Sequence, residues 1–251
     1  MKKRLDMSSA DFLVHGLIKA FELIFSLNPY ILSITGVSIK VSGTATILAA
    51  LTAIPLSFAL AFLNFRGKQA VITLINTGMG LPPVFVGLFI FVMLVPAGPL
   101  GFADIIFTPS AMILAQYILV TPIITGISLS AIKAVPKSII ETVYTLGGSR
   151  KDAIIAALSE ARFGIITAIL AGLGRALSEV GAILIVGGNI AETGSIGGIG
   201  EGLSKTRTLT TAITSETSKG GDFSTPIALG IILITLNLSV NLLANYFQRR
   251  D

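Results

Sequence analysis

The chain has 251 residues, of which 53% are hydrophobic and only 12% are charged, with no cysteine and a net charge of +5. A soluble domain carries about 25% charged residues, so this composition excludes an ordinary soluble protein and is typical of a membrane protein. The lack of cysteine excludes disulfides, thiolate metal sites and thiol nucleophiles.

The N-terminal segment Ser9–Leu27 is predicted to form an amphipathic helix. Its polar residues recur at three- and four-residue steps, opposite an apolar face that includes Leu17, Phe21 and Phe25. The charges in its middle make it a poor spanning helix, so residues 1–30 are predicted to lie in the membrane interface. If this helix crosses the membrane instead, the protein has six spans. The polar residues are Asp11, His15, Lys19, Glu22 and Ser26.

Five longer apolar segments are predicted to span the membrane. Each has the roughly 20 or more apolar residues that a bilayer requires. Proline interrupts the first three segments. Such breaks are tolerated in a membrane, because neighbouring helices can bond the carbonyls that proline leaves without a partner. The predicted fold is therefore an all-α polytopic membrane protein with five spanning helices, whose transmembrane domain covers residues 31–251. The predicted spans are Ile34–Phe65, Ala70–Val95, Ile105–Ile132, Phe163–Val186 and Pro226–Phe247.

Loop charge predicts the orientation of these spans. Basic residues cluster in alternate loops, which the positive-inside rule assigns to the cytoplasm. The loops Pro96–Ser110 and Gly188–Thr225 are then external. This distribution accounts for the net charge without a nucleic-acid partner, and membrane lipid is the expected surrounding. Five spans place the basic N-terminus outside, which conflicts with the positive-inside rule. The basic residues are Arg66, Lys68, Lys133, Lys137, Arg150, Lys151, Arg162, Arg249 and Arg250.

The cytoplasmic segment 137–160 is charged and has a helical pattern. Ser138, with Glu141 three positions later, has the spacing of a capping box that begins a helix. Apolar residues at helical spacing give this short helix one face that can dock while the other remains in water. The apolar residues are Ile139, Ile140, Val143 and Leu146.

A glycine turn is predicted to follow. Gly147 and Gly148 end the short helix, because a left-handed residue after a helix has the lowest energy as glycine. Ser149 with Asp152 forms a second capping-box pattern. The segment is therefore predicted to be a short helix, a tight turn and a second helix that runs into the fourth span.

The stretch from Glu141 to Gly147 resembles the EAA loop of importer-type ABC transporter permeases. The match is partial, since Thr142 and Val143 stand where the family has alanines. The run Leu146–Ile190 is similar to permeases of tungstate and molybdate importers, most of all to the tungstate branch. Two further stretches, Leu74–Leu88 and Arg207–Phe223, continue this resemblance.

This resemblance implies a type I ABC importer permease-like fold in the cell (inner or cytoplasmic) membrane. It implies a homodimer, a separate ATP-binding cassette subunit in the cytoplasm and an external oxyanion-binding protein. It also implies that the short helix is the coupling helix, which lies in a groove of the ATP-binding subunit. The implied coupling residues are Ser138, Glu141, Thr142, Leu146, Gly147 and Arg150.

Arg175 and Glu179 are the only charged residues well inside a predicted span. At positions i and i+4 they share one helix face, with Ser178 between them. Charges inside a membrane usually face a bundle interior or water. The resemblance favours a translocation pathway or gate, and the alternative is a self-neutralising structural pair. Asn189 and Asn76 are weaker candidates of the same kind.

The external loop contains a glycine-rich stretch, Gly194–Gly202, which is predicted to be flexible. A short helix is predicted after it, over Thr208–Ser218. The sequence of Gly198–Thr206 superficially resembles a phosphate-binding loop, but Ile199 and Ser204 replace the two required glycines. The chain is therefore predicted to lack its own ATPase machinery.

Other function classes rank lower. A secondary transporter would need inverted repeats, and none is found. A membrane enzyme would need a His/carboxylate cluster or an arranged nucleophile within the spans, and the sequence offers none. His15 is the single histidine, and no other ligand types accompany it. No catalytic residue, metal or cofactor is expected.

Overall fold

The computed structural model describes residues 9–192, 202–220 and 223–248. In these ranges the chain is helical, apart from turns and one isolated bridge between Ala191 and Ser204. This confirms the predicted all-α fold. The helices are α1 Ser9–Phe25, α2 Pro29–Phe62, α3 Lys68–Met79, α4 Pro83–Leu94, α5 Pro109–Ala134, α6 Lys137–Thr145, α7 Arg150–Leu177, α8 Gly181–Gly187, α9 Leu209–Lys219 and α10 Ser224–Gln248.

Four of the described helices are long and apolar enough to cross a membrane, namely α2, α5, α7 and α10. The pair α3 and α4 is a fifth candidate, bent by 103° at its break. Pro82 and Pro83 lie at this break, since proline lacks an N–H and disfavours a helical conformation in the residue before it. The first, second, third and fifth predicted spans therefore each correspond to one helix or to this bent pair.

The predicted fourth span, Phe163–Val186, is wrong at its second end, because its helix stops before Val186. Its helix, α7, begins at Arg150 and ends at Leu177, and Gly181–Gly187 form the separate short helix α8. The early start follows from the predicted capping box, in which the Ser149 hydroxyl accepts the Asp152 N–H and the Asp152 side chain accepts the Ser149 N–H. The short helix, the glycine turn and the second helix that runs into the span are all confirmed.

The core is built around α2, which packs along α5, while α5 packs in turn on α7. Ala45, Ala49 and Ala53 of α2 are fully buried. Small side chains of this kind let membrane helices approach closely. Helices α4 and α8 also approach closely, because a Cβ added to Gly87 would lie 2.6 Å from the Cα of Ala182. This contact fixes α8 against the second half of the bent pair.

Helix α1 packs against α10. Its contacts come from the buried Ala20 and from Leu23 and Ile24, which join the cluster at the start of α2 and in α9 and α10. Phe21 and Phe25 remain exposed, so they are available to lipid. The side chains of Asp11 and His15 lie outside the described part of the structure.

The external loop is only partly described. The predicted helix after the glycine-rich stretch is confirmed as α9, and the Thr208 side chain caps its first turn. Gly194–Gly202, apart from Gly202, lies outside the described residues, as do Arg249 and Arg250.

Candidate functional site

The candidate coupling helix α6 lies on the body of the protein with one side only. Ile139 packs onto a cluster that α5 and α7 form, with Ile132 and Ala157 among its buried members. Two large side chains towards the end of the helix are open, since Tyr144 is 50% exposed and Leu146 is 83% exposed. A large apolar side chain this exposed at the end of a short helix is typical of a contact surface for another protein.

The predicted capping box of Ser138 and Glu141 is wrong. Helix α6 begins one residue earlier, its N-cap is Pro136, and no side chain caps that end. Proline favours an extended conformation in the residue before it, so Val135 is the C-cap of α5, and α6 starts directly after Pro136. Ser138 then lies in the first turn, where its carbonyl accepts the Thr142 hydroxyl at 2.7 Å. Glu141 is exposed.

The predicted glycine turn is confirmed. Gly147 has a φ of +81°, a left-handed conformation that side chains with a Cβ resist. The N–H of Gly147 donates to the carbonyl of Tyr144 at 3.0 Å, and the N–H of Gly148 donates to that of Val143 at 2.8 Å. These bonds pair two carbonyls that the end of α6 leaves free. The turn therefore sets the direction in which α7 departs from α6.

Arg150 connects this turn to α2. Its Nη2 donates to the carbonyl of Phe62 at 2.9 Å, and Phe62 is the last residue of α2. The last carbonyls of a helix have no partner within the helix, so a guanidinium placed there satisfies one of them. Arg150 therefore joins the segment that follows α6 to the end of the longest helix.

The structure brings the intramembrane pair together at the end of α7. Nη1 of Arg175 lies 2.6 Å from Oε2 of Glu179, and the two side chains differ in burial, at 36% and 4% exposed. Glu179 follows the end of α7, in the break before α8. The carboxylate is therefore buried, while the guanidinium reaches an open side of the protein.

Glu179 also holds the break together. Its Oε1 accepts the N–H of Ala182 at 3.1 Å, in the first turn of α8, where helix N–H groups have no internal partner. Its backbone carbonyl accepts the hydroxyl of Thr210 at 2.6 Å. One residue thus connects α7, α8 and α9 and neutralises Arg175.

Ser178 lies beside the pair, and Asn189 does not. The Ser178 hydroxyl donates to the carbonyl of Gly174 at 3.0 Å. Asn189 instead follows α8 in the external loop, where its carbonyl accepts Nε of Arg207 at 3.0 Å. Its Oδ1 is buried and has no hydrogen-bond partner within the described residues. Asn76, on α3, is exposed.

Sequence reasoning missed two polar features. The first joins Tyr30 to the external loop: its hydroxyl donates to Oε1 of Glu216 at 3.0 Å and accepts Nη1 of Arg207 at 3.1 Å. No sequence spacing indicates a contact across 186 positions. The second is Lys40, which is exposed within α2. That helix starts five residues before its predicted bound, so Lys40 lies deeper than the sequence suggested, although a lysine stem can reach the interface.

The described residues hold no group of three or more His, Cys, Asp or Glu side chains that could bind a metal ion. The geometry instead consists of a one-sided docking helix, a strained turn, and a half-open Arg–Glu pair at the end of the helix that leaves the turn. This arrangement can transmit a contact made at one end of α7 to a charge at its other end.

Residues 53–250 match the family described as "Binding-protein-dependent transport system inner membrane component". The chain belongs to this family. The permease is 48% identical over 221 residues to a "Probable anion ABC transporter permease protein" of Haloferax volcanii, which covers 88% of this chain and 92% of that one. It is 35% identical over 231 residues to the "Tungstate uptake system permease protein TupB" of Peptoclostridium acidaminophilum, covering 92% and 96%.

A solved structure titled "Crystal structure of an amino acid ABC transporter with histidines" covers 98% of the permease and 100% of its own chain, with a TM-score of 0.66 and 19% identity. That likeness shows a shared fold. The resemblance carried by Leu146–Ile190 is thus confirmed, and the permease is a multi-pass membrane protein with an ABC importer permease fold.

Proposed function

We propose that the permease imports a tetrahedral oxyanion, with tungstate as the first substrate and molybdate as the second. The observation that carries this proposal is the Arg175–Glu179 pair. Arg175 offers a guanidinium to an open side within an apolar helix, and a fixed planar guanidinium suits the oxygens of an oxyanion. The names of the two relatives, one an anion permease and one a tungstate permease, support the same class of substrate.

The two residues of the pair have different roles in the proposed pathway. Arg175 is the charge that meets the anion, and Glu179 is the buried counter-ion that limits how tightly the anion is held. A conduction site must bind strongly enough to admit an ion and weakly enough to release it. We propose Ser178 as a neutral donor beside Arg175. Asn189 is proposed as a lining residue at the external entrance, because it follows α8 directly and has a buried, unpaired Oδ1.

ATP hydrolysis belongs to a separate subunit, which docks on the open side of α6 through Glu141, Tyr144 and Leu146. We propose that the permease is a homodimer with two ATP-binding subunits in the cytoplasm and one oxyanion-binding protein outside. Closure of the ATP-binding subunits moves α6. Because α6 packs on α5 and α7, its movement shifts these spans and alternates access between the two sides. Ser138, Thr142, Gly147 and Arg150 hold the geometry of this segment.

The test of this function is uptake into vesicles that contain the permease with its ATP-binding subunit and binding protein. Labelled tungstate should accumulate only when ATP is enclosed. Unlabelled tungstate should compete best, molybdate next and sulfate least. Accumulation without ATP would indicate a secondary transporter and contradict the proposal, and equal competition by sulfate would contradict the assigned substrate.

We propose five spans, with residues 1–30 as an interfacial segment, segment 137–160 in the cytoplasm and loop 188–225 outside. Since the chain has no cysteine, single cysteines report this orientation. Lys137→Cys and Lys205→Cys are both at exposed positions and form a matched pair. In intact cells a membrane-impermeant thiol reagent should label position 205, and position 137 only after permeabilisation. Labelling of position 137 alone in intact cells would show that the orientation is the opposite of the proposed one.

A further inference from the structure

Three asparagines recur at four-residue steps in the last helix, α10, namely Asn237, Asn241 and Asn245. Asn237 is near the middle of this helix and Asn241 follows at i+4, so the two side chains share a face. The helix is otherwise strongly apolar, and only 11% of its most apolar window is buried within the protein. Amide side chains in such a helix require a physical reason.

Two other polar residues near the middle of α10, Thr235 and Ser239, need no partner outside the helix. The hydroxyl of Thr235 donates to the carbonyl of Ile231, and that of Ser239 donates to the carbonyl of Thr235, each at 2.8 Å. These two residues lie on the opposite side from Asn237, as the 3.6-residue period requires. A hydroxyl that bonds back to its own helix can face lipid at low cost. That side of α10 is compatible with the bilayer.

An asparagine can be satisfied in this way only in part. Its carboxamide has two donors and an acceptor. Nδ2 of Asn241 donates to the carbonyl of Asn237 at 3.0 Å, and Nδ2 of Asn237 donates to the Ser178 hydroxyl at 3.3 Å. Within the part of the chain that the structure describes, the Oδ1 atoms of both residues have no donor. Exposed to lipid, these amide groups would each cost free energy.

The contact with Ser178 places this face beside the Arg175 pair. Asn237 lies over Gly174, where an added Cβ would be 3.7 Å from its Oδ1. Arg175 is the next residue, and Ser178 is three positions after it, on the same side of α7. The Arg175 side chain is 36% exposed. Among the described residues its Nε and Nη2 have no acceptor, so they are available to a ligand.

We propose that Asn237 and Asn241 of α10 line the oxyanion path together with Arg175 and Ser178 of α7. This inference rests on the proposed function. One guanidinium offset by a buried carboxylate attracts the anion, and neutral amide N–H groups replace part of its hydration shell without adding charge. Such a set binds an oxyanion and releases it. The path therefore runs along the α7–α10 face, and the Thr235 side of α10 faces lipid.

The first test is independent of the substrate. Asn237→Cys and Thr235→Cys give a matched pair on opposite sides of one helix, in a chain without cysteine. In the assembled transporter, a hydrophilic thiol reagent should modify position 237 at least about tenfold faster than position 235, because only the thiolate reacts and it forms in water rather than lipid. Tungstate delivered by the binding protein should slow the reaction at position 237. Equal rates at the two positions would overturn the inference.

The second test is transport. The double variant Asn237→Leu with Asn241→Leu should assemble, melt at the wild-type temperature or above it, and hydrolyse ATP, while tungstate uptake falls at least about tenfold, as for one hydrogen bond lost from the bound ion. Thr235→Val is the control and should transport normally. Normal uptake by the double variant would overturn the inference. If the wild type takes up no tungstate while position 237 still reacts rapidly, the substrate is wrong and the lining assignment stands.

Discussion

Replacing Gly147 with valine is expected to abolish ATP-driven uptake while the protein remains folded in the membrane. Gly147 has a φ of +81°, and a Cβ added there would meet no atom within 4 Å. The cost is therefore backbone strain rather than a clash, about 1–2 kcal/mol for an ordinary residue and more for a β-branched one. The turn relieves this strain by changing its conformation, which moves α6 out of its docking position.

Gly67 provides a matched control for this experiment. It has a φ of +91°, and an added Cβ would likewise meet nothing within 4 Å, but it precedes α3 in a different cytoplasmic loop. Gly67→Val should cost similar stability and preserve uptake. Gly147→Asn should retain uptake, because asparagine tolerates the left-handed region. The measurements are tungstate uptake and co-purification with the ATP-binding subunit. Normal uptake by Gly147→Val would contradict the coupling role.

The second large effect is expected at Glu179. Glu179→Leu removes the counter-ion of Arg175 and the acceptor for the N–H of Ala182. Breaking a fully buried ion pair costs about 3–5 kcal/mol, and the exposure of Arg175 lowers the expected loss to about 2–3 kcal/mol. Glu179→Gln keeps an oxygen that can accept the Ala182 N–H, so its loss should be smaller. Thermal unfolding in detergent measures both losses.

The double variant Arg175→Met with Glu179→Gln separates the two roles of the pair. It leaves no uncompensated charge, so its stability should return close to that of the wild type. Uptake should stay low, because the anion no longer meets a guanidinium, and binding of the external protein should persist. Full tungstate uptake by this variant would show that the pair is structural only.

Local sequence signals predict the structure correctly where no second signal conflicts with them. The capping box of Ser149 and the left-handed Gly147 depend on neighbours within four residues, and both are present. Ser138 and Glu141 have the same spacing as a capping box, but Pro136 lies just before them and determines where the helix begins. Two local signals were in conflict, and the backbone restriction outweighed a side-chain hydrogen bond.

The break after α7 could not be predicted from periodicity. The run from Phe163 to Val186 is largely apolar, although it contains Arg175, Ser178 and Glu179, so its composition predicts one span. The break is held by one local and one tertiary contact: the carboxylate of Glu179 accepts the N–H of Ala182, three residues later, and its carbonyl accepts the hydroxyl of the distant Thr210. The position of Asn237 over Gly174 is tertiary in the same way, since α10 reads from sequence alone as an ordinary apolar span.

Helix α7 has one further consequence. It runs without interruption from Arg150, at the turn next to α6, to Leu177, two residues past Arg175. At 1.5 Å per residue, the 25 steps from Arg150 to Arg175 measure about 38 Å. A rigid helix of this length that rotates by about 5° about one end moves its other end by about 3 Å. That is the length of one hydrogen bond. In the proposed mechanism, a small angular change imposed at the Arg150 end would therefore be enough to make or break a contact between Arg175 and an anion.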